Sequence, residues 1–155
     1  MKTRREMLQH GAAVATLLMG AGLLPASARA QAAGYKAAAF ETKSMADLMK
    51  ALGAGAPAES KDVTITGPDI AENGAVVPLG AATTLAGVKS LLILVEKNPS
   101  IMTSMFELTD AVEAAVNTRV KMGQSSNVYA VAMMNDGRVL YAQKEVKVTL
   151  GGCGG

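Results

Sequence analysis

The sequence is poor in the residues that carry most enzyme chemistry. It contains one histidine, one cysteine and no tryptophan, and its other aromatics are three tyrosines and two phenylalanines. One cysteine cannot close a disulfide within the chain, and alone it cannot build a zinc site, which takes several ligands. The sole histidine, His10, falls in a leader-like segment. Once that segment is removed, no histidine is left to act as a general base, complete a Ser-His-Asp triad, pair with the cysteine or ligate a metal. Scarce aromatics and the lack of a basic stripe give no footprint for nucleic acid.

What is present begins with an address. Thr3-Arg4-Arg5-Glu6-Met7-Leu8 is a twin-arginine pattern, Gly11 to Leu24 is apolar and uncharged, and Ala28-Arg29-Ala30 is an A-x-A cleavage site before Gln31. The apolar run is shorter than the roughly 20 residues needed to cross a bilayer. Residues 1–30 are therefore expected to be a twin-arginine signal peptide, leaving a periplasmic mature chain with no membrane segment. Lys2, Arg4, Arg5 and Arg29 leave with it, as does Glu6, so 15 − 4 = 11 basic residues face 13 − 1 = 12 acidic ones. The net positive charge of the whole chain belongs to the leader. The remaining length suits one domain with a real core.

In that domain, residues 31–150, Gln31 to Phe40 is alanine-rich and reads as a mobile start. Met45, Leu48, Met49 and Leu52 recur at helical spacing, with Ser44 as N-cap, Asp47 in the first turn and Gly53 as stop, which predicts a short helix over 44–52. Gly53 to Ser60 reads as a linker. From residue 62 the period falls to two. Val63 and Ile65 alternate with threonines; Ala75 to Ala81 is extended, with Pro78 arguing for an edge or a kink. Leu91 to Val95 is apolar on both faces, as in a central strand. Met102, Phe106 and Leu108 share one parity, Val112 to Val120 alternates, and Val128 to Met134 leads into an Asn135-Asp136-Gly137 hairpin turn. In the last strand the apolar parity switches between Tyr141 and Val146, which predicts a bulge or bend within Ala142–Glu145. About seven short strands over residues 62–150 and almost no helix make an all-β, immunoglobulin-like antiparallel β-sandwich the expected fold.

The body offers no evident active site. Asp69, Glu72, Asp110 and Asp136 fall in or beside turns, where carboxylates cap and solvate, and Lys144 and Lys147 read as an exposed face. The distinctive feature is the end, residues 151–155. Val146-Lys147-Val148-Thr149-Leu150 runs into Gly151-Gly152-Cys153-Gly154-Gly155. Glycines on both sides let the tail sample many conformations, and they give Cys153 no core to enter. This geometry presents a sulfur atom to something else. A lone cysteine in an exported chain indicates either intermolecular pairing or a reactive free thiol. The tail carries no cation, and a free cysteine is mostly protonated at neutral pH, so activation would have to come from elsewhere.

Several of these features together resemble the SoxY family of bacterial sulfur oxidation. They are the twin-arginine leader, the stretch Pro68-Asp69-Ile70-Ala71-Glu72-Asn73-Gly74-Ala75-Val76-Val77-Pro78, the Asp136-Gly137 hairpin and the terminal Gly-Gly-Cys-Gly-Gly. The resemblance implies a non-enzymatic carrier of no cofactor, with Cys153 as the covalent attachment point and Gly151, Gly152, Gly154 and Gly155 as a swinging arm. It further implies a SoxZ-like partner subunit in a heterodimer, or a higher assembly through a Cys153 disulfide. The visiting enzymes it implies are a c-type haem enzyme that loads thiosulfate, a dimanganese hydrolase that releases sulfate, and a sulfane dehydrogenase where one is present. Two other readings compete: an exported structural subunit using Cys153 for an interchain disulfide, and a C-terminal diglycine sulfur donor or modifier. The second would need ATP, and its β-grasp fold would need a long helix across its sheet.

Overall fold

The computed structural model describes residues 37–149. The leader and the tail, with Cys153, Gly151, Gly152, Gly154 and Gly155, lie outside the described residues. A 3-10 turn, Ala37–Glu41, and helix α1, Met45–Leu52, precede the strands. These are β1 (Pro57–Glu59), β2 (Val63–Thr66), β3 (Ile70–Ala71), β4 (Val77–Thr83), β5 (Val88–Val95), β6 (Met102–Glu107), β7 (Ala115–Val120), β8 (Ser126–Met134) and β9 (Val139–Val148). The large sheet has the order β1-β9-β8-β5-β6, with β3 added to β9, and the small sheet has the order β2-β4-β7. All pairings are antiparallel except β1–β9 and β3–β9, which are parallel. The immunoglobulin-like all-β sandwich read from the sequence is the observed fold.

Strand β5 explains how the layers adhere. Leu91, Ile93 and Val95 enter the core between the two sheets, with Val77, Leu79, Val128, Ala130 and Val146. Leu92 and Leu94 enter a second core on the other face, beneath α1, with Leu48, Met49, Leu52, Val131 and Val139. A strand apolar on both faces needs a cover on each, and the helix is the second cover. Leu48, Met49 and Leu52 are all buried, each contributing ~1.5–3 kcal/mol. The helix begins as its sequence indicates: the Ser44 hydroxyl accepts from the Asp47 amide at 3.1 Å. It ends at Gly53, whose φ of 67° suits a residue without a Cβ. The strands Leu91–Val95 and Val128–Met134 supply much of both cores.

Five local expectations need correction. Residues 37–40 belong to the 3-10 turn, where Ala39 is fully buried, so this part of the chain start is anchored. The supposed linker contains β1, which pairs with β9 through backbone groups and therefore needs no apolar pattern. Strand β6 carries a bulge opposite Ile93 and Leu94, so Met102 and Met105 pack under the helix while Leu108 packs between the sheets. Val112 precedes β7 and is exposed. Finally, β9 has no bulge: it pairs with β8 continuously from Val139 to Val146. Its change of parity has another cause. Val139 and Tyr141 lie under the helix layer, whereas Gln143, Glu145 and Lys147 on the same face extend past that layer into solvent. Leu140, Ala142, Val146 and Val148 face the small sheet throughout. Pro78 is as expected in a local sense. Strand β4 is central, but β2 ends opposite Gly80, so at Pro78 the strand has β7 as its one paired neighbour.

Candidate functional site: the root of the cysteine tail

Strand β9 carries the chain toward Cys153, and its last residues are held from two sides. On one side is β3, two residues long. The Lys147 amide donates to the Asp69 carbonyl at 2.9 Å, and the Thr149 amide donates to the Ala71 carbonyl at 3.1 Å. The Thr149 hydroxyl donates to the same carbonyl at 3.3 Å. On the other side the Ser125 hydroxyl accepts from the Val148 amide at 2.9 Å. Beneath, the Gly74 carbonyl accepts from the Met122 amide at 2.7 Å. A Cβ at Gly74 would run into the Met122 carbonyl oxygen and lie 2.8 Å from Val148 Cγ1. Glycine at 74 is therefore what allows the loop to close over the end of β9.

The stretch Pro68 to Pro78 thus has a structural role that periodicity does not reveal. It is a clasp around Lys147, Val148 and Thr149, the stretch that leads to the tail. β3 is too short to show a period of two, and its hold on β9 is made by backbone groups. The one sequence signal is its punctuation, Gly67-Pro68 before it and Asn73-Gly74 after it. The Asn73 side chain accepts from the Ala75 amide at 2.9 Å and shapes that turn.

One ion pair ties the clasp to β9. Lys144 Nζ donates to the Gly67 carbonyl at 2.6 Å and meets Asp69 Oδ1 at 2.8 Å. The hydrogen bond from Lys144, and then its charge, hold the Asp69 carboxyl below the usual carboxylate range. Lys144 is thereby committed to tying Gly67–Asp69 to β9. Asp136 is likewise held low, first by the Arg138 amide and then by its side chain, and its role is to shape the hairpin turn. There Gly137, at φ 89°, closes the loop. On the outer face of the large sheet, burial and then the neighbouring Glu96 push the Tyr129 hydroxyl up. Glu96 also accepts from Asn127 at 2.9 Å.

A cleft of about 880 Å3 lies at the far end of the sandwich, among Lys61, Thr84, Leu108, Asp110 and Glu113. It is separated from the clasp by the length of β5, roughly 25 Å for eight residues. Among the described residues no three His, Cys, Asp or Glu side chains gather as metal ligands would. Of the residues singled out in the sequence, the structure brings Asp69, Lys144 and Lys147 to the tail root. It leaves Asp110 and Asp136 at the opposite end.

Solved structures share this architecture. The sulfur carrier protein SoxY from Chlorobium limicola f thiosulfatophilum is similar at 32% identity, with 66% of this chain and 93% of that one covered and a TM-score of 0.60. A superoxide reductase (neelaredoxin) variant from Ignicoccus hospitalis matches at 18% identity and a TM-score of 0.50, covering 56% of this chain and 78% of that one. At that identity the likeness is one of fold. No curated protein gives a significant match. The family model described as sulfur oxidation protein SoxY matches residues 48–153, a span that takes in the end of the helix from Leu48, both sheets, the clasp and the tail through its cysteine, and this chain belongs to the SoxY family.

Proposed function

We propose that this protein is an exported sulfur carrier that holds oxidation intermediates covalently on Cys153 and presents them to separate enzymes. The observation that carries the reading is the clasp. The chain is fastened at Lys147, Val148 and Thr149, immediately before a glycine-flanked thiol. A rigid handle joined to a tail without side-chain bulk suits delivery, not catalysis. The similar SoxY structure is itself described as a sulfur carrier protein, and the family match runs as far as residue 153. The eight-residue helix is too short for the β-grasp alternative.

In this reading thiosulfate is coupled oxidatively to the thiol. The cysteine S–H and the sulfane sulfur of thiosulfate form a new S–S bond, releasing one proton and two electrons, and the haem c enzyme accepts the electrons. Water then attacks the terminal sulfonate sulfur within a dimanganese hydrolase. Sulfate leaves with two protons, and a persulfide anion stays on Cys153 for a sulfane dehydrogenase or a new cycle. A SoxZ-like subunit accompanies the carrier, and the twin-arginine leader delivers the folded protein to the periplasm. The chain itself contributes attachment, reach and a stable platform.

Intact-mass analysis of protein from thiosulfate-grown cells tests this. A labile sulfur adduct on Cys153, removed by a thiol reductant and lost in Cys153→Ser together with thiosulfate oxidation, is expected. Cys153→Ser that abolishes a covalent dimer while sparing sulfur oxidation would assign the cysteine to assembly instead.

A further inference from the structure

Cys153 stands four residues beyond Thr149, the last residue the clasp holds. At ~3.3–3.6 Å per residue its α-carbon can move no more than about 14 Å from that anchor, and the sulfur only two bonds further. A thiol that enters a recessed active site on so short a tether brings the surface around Thr149 against the mouth of that site. The tether length therefore says which face of the sandwich must meet the enzyme.

That face has an unusual composition. Four large apolar side chains stand out as exposed among the described residues, and two of them, Ile70 at 57% and Val76 at 49%, belong to the clasp. Ile70 lies opposite Lys147 in the β3–β9 pairing. Val76 lies two residues beyond Gly74, which abuts Val148. Single exposed apolar residues are ordinary, but these two flank the root of one tail. Both are β-branched and lose little rotamer freedom on being covered. The Asp69 carboxylate beside Ile70 is already matched by Lys144. Between them in the chain Glu72, Asn73 and Ala75 are exposed, so the two apolar side chains stand in a mainly polar stretch.

We propose that Ile70 and Val76 form a docking collar that seats against an apolar rim around the channel of the enzyme that accepts Cys153, and this rests on the carrier reading above. The partner is a protein with a channel no deeper than the tether allows, about 14 Å to the Cys153 α-carbon, and a rim that excludes water when the collar seats. Two side chains make a small contact. That suits a carrier that must leave each enzyme after one transfer.

The test uses the full exported chain, purified with its co-exported subunit, and a haem c thiosulfate-loading enzyme. Loading of Cys153 is followed by intact mass as a function of carrier concentration for the unaltered protein, I70T/V76T and I70V/V76I. Threonine keeps the β-branch and removes apolar surface. The expected result is a tenfold or greater rise in KM for I70T/V76T with kcat little changed, near-normal KM for I70V/V76I, and equal rates of Cys153 alkylation by iodoacetamide in all three. An unchanged KM in I70T/V76T would overturn the collar while leaving the carrier reading intact. So would loss of the co-exported subunit or of a self-association, because the patch would then be a stable subunit contact. No loading of the unaltered protein would overturn the carrier reading and the collar with it.

Discussion

Gly74→Ala isolates the clasp with one methyl group. The added Cβ meets the Met122 carbonyl oxygen and approaches Val148 Cγ1 to 2.8 Å. Val148 could rotate, but the carbonyl is backbone in a pairing fixed by the 2.7 Å bond from the Met122 amide to Gly74. Overpacking of this kind costs ~1–3 kcal/mol. Alanine returns ~0.4–1 kcal/mol by restricting the unfolded chain, so a net loss of about 1–2 kcal/mol is expected. Gly123→Ala is the matched control, one residue from Met122, because a Cβ there meets nothing within 4 Å. It should be neutral or stabilising by ~0.4–1 kcal/mol. The two variants should differ in melting temperature by roughly 5–10 °C, read by circular dichroism on the full chain. Amide exchange should also accelerate at Thr149 in Gly74→Ala and not in Gly123→Ala, since the bond from Thr149 to Ala71 depends on the loop staying closed. Equal melting temperatures with unchanged exchange at Thr149 would refute the clasp.

Other outcomes follow from the same contacts. The Asp69 carboxyl should titrate below its ordinary value and move back up in Lys144→Met, observed by carboxyl-detected NMR. Because its folded pKa is depressed, its small contribution to stability is present above pH ~4 and fades as pH falls through the folded value. An Asp69 titration that Lys144→Met leaves in place would show that the ion pair does not form in solution. Ser90 is fully buried and its hydroxyl has no hydrogen-bond partner among the described residues, a desolvation cost of ~1–3 kcal/mol. Ser90→Ala should therefore be neutral or stabilising in urea unfolding, and a clear loss of stability would reveal a partner for that hydroxyl.

Local features were legible wherever the cause is local. The helix is written in Ser44, Gly53 and an apolar face of four residues, all within ten positions, and the β8–β9 hairpin is written in Asn135-Asp136-Gly137. Leu91 to Val95 announced a strand covered on both sides, though not what covers the second face. Misreadings arose where the cause is remote. The apolar pattern of β9 records how far a helix some ninety residues earlier extends across the sheet, and in one dimension a one-residue slip leaves the same trace. β1 and β3 went unseen because backbone pairing with β9 constrains their amides and carbonyls, and little about their side chains.

The thiol and its glycines are properties of covalent order, so the expectation that Cys153 is a presented thiol comes from the sequence alone. Where the tail is fastened is a different kind of fact. Asp69, Ala71, Gly74 and Ser125 come from two separate segments, and they meet at Lys147, Val148 and Thr149 because two sheets bring those segments to one end of the sandwich. The Pro68 to Pro78 stretch could be recognised as distinctive from its residues. That it is a clasp, with Ile70 and Val76 turned outward beside the tether, depends on contacts between positions more than seventy residues apart, and hydrogen bonds over such separations leave no period in the chain.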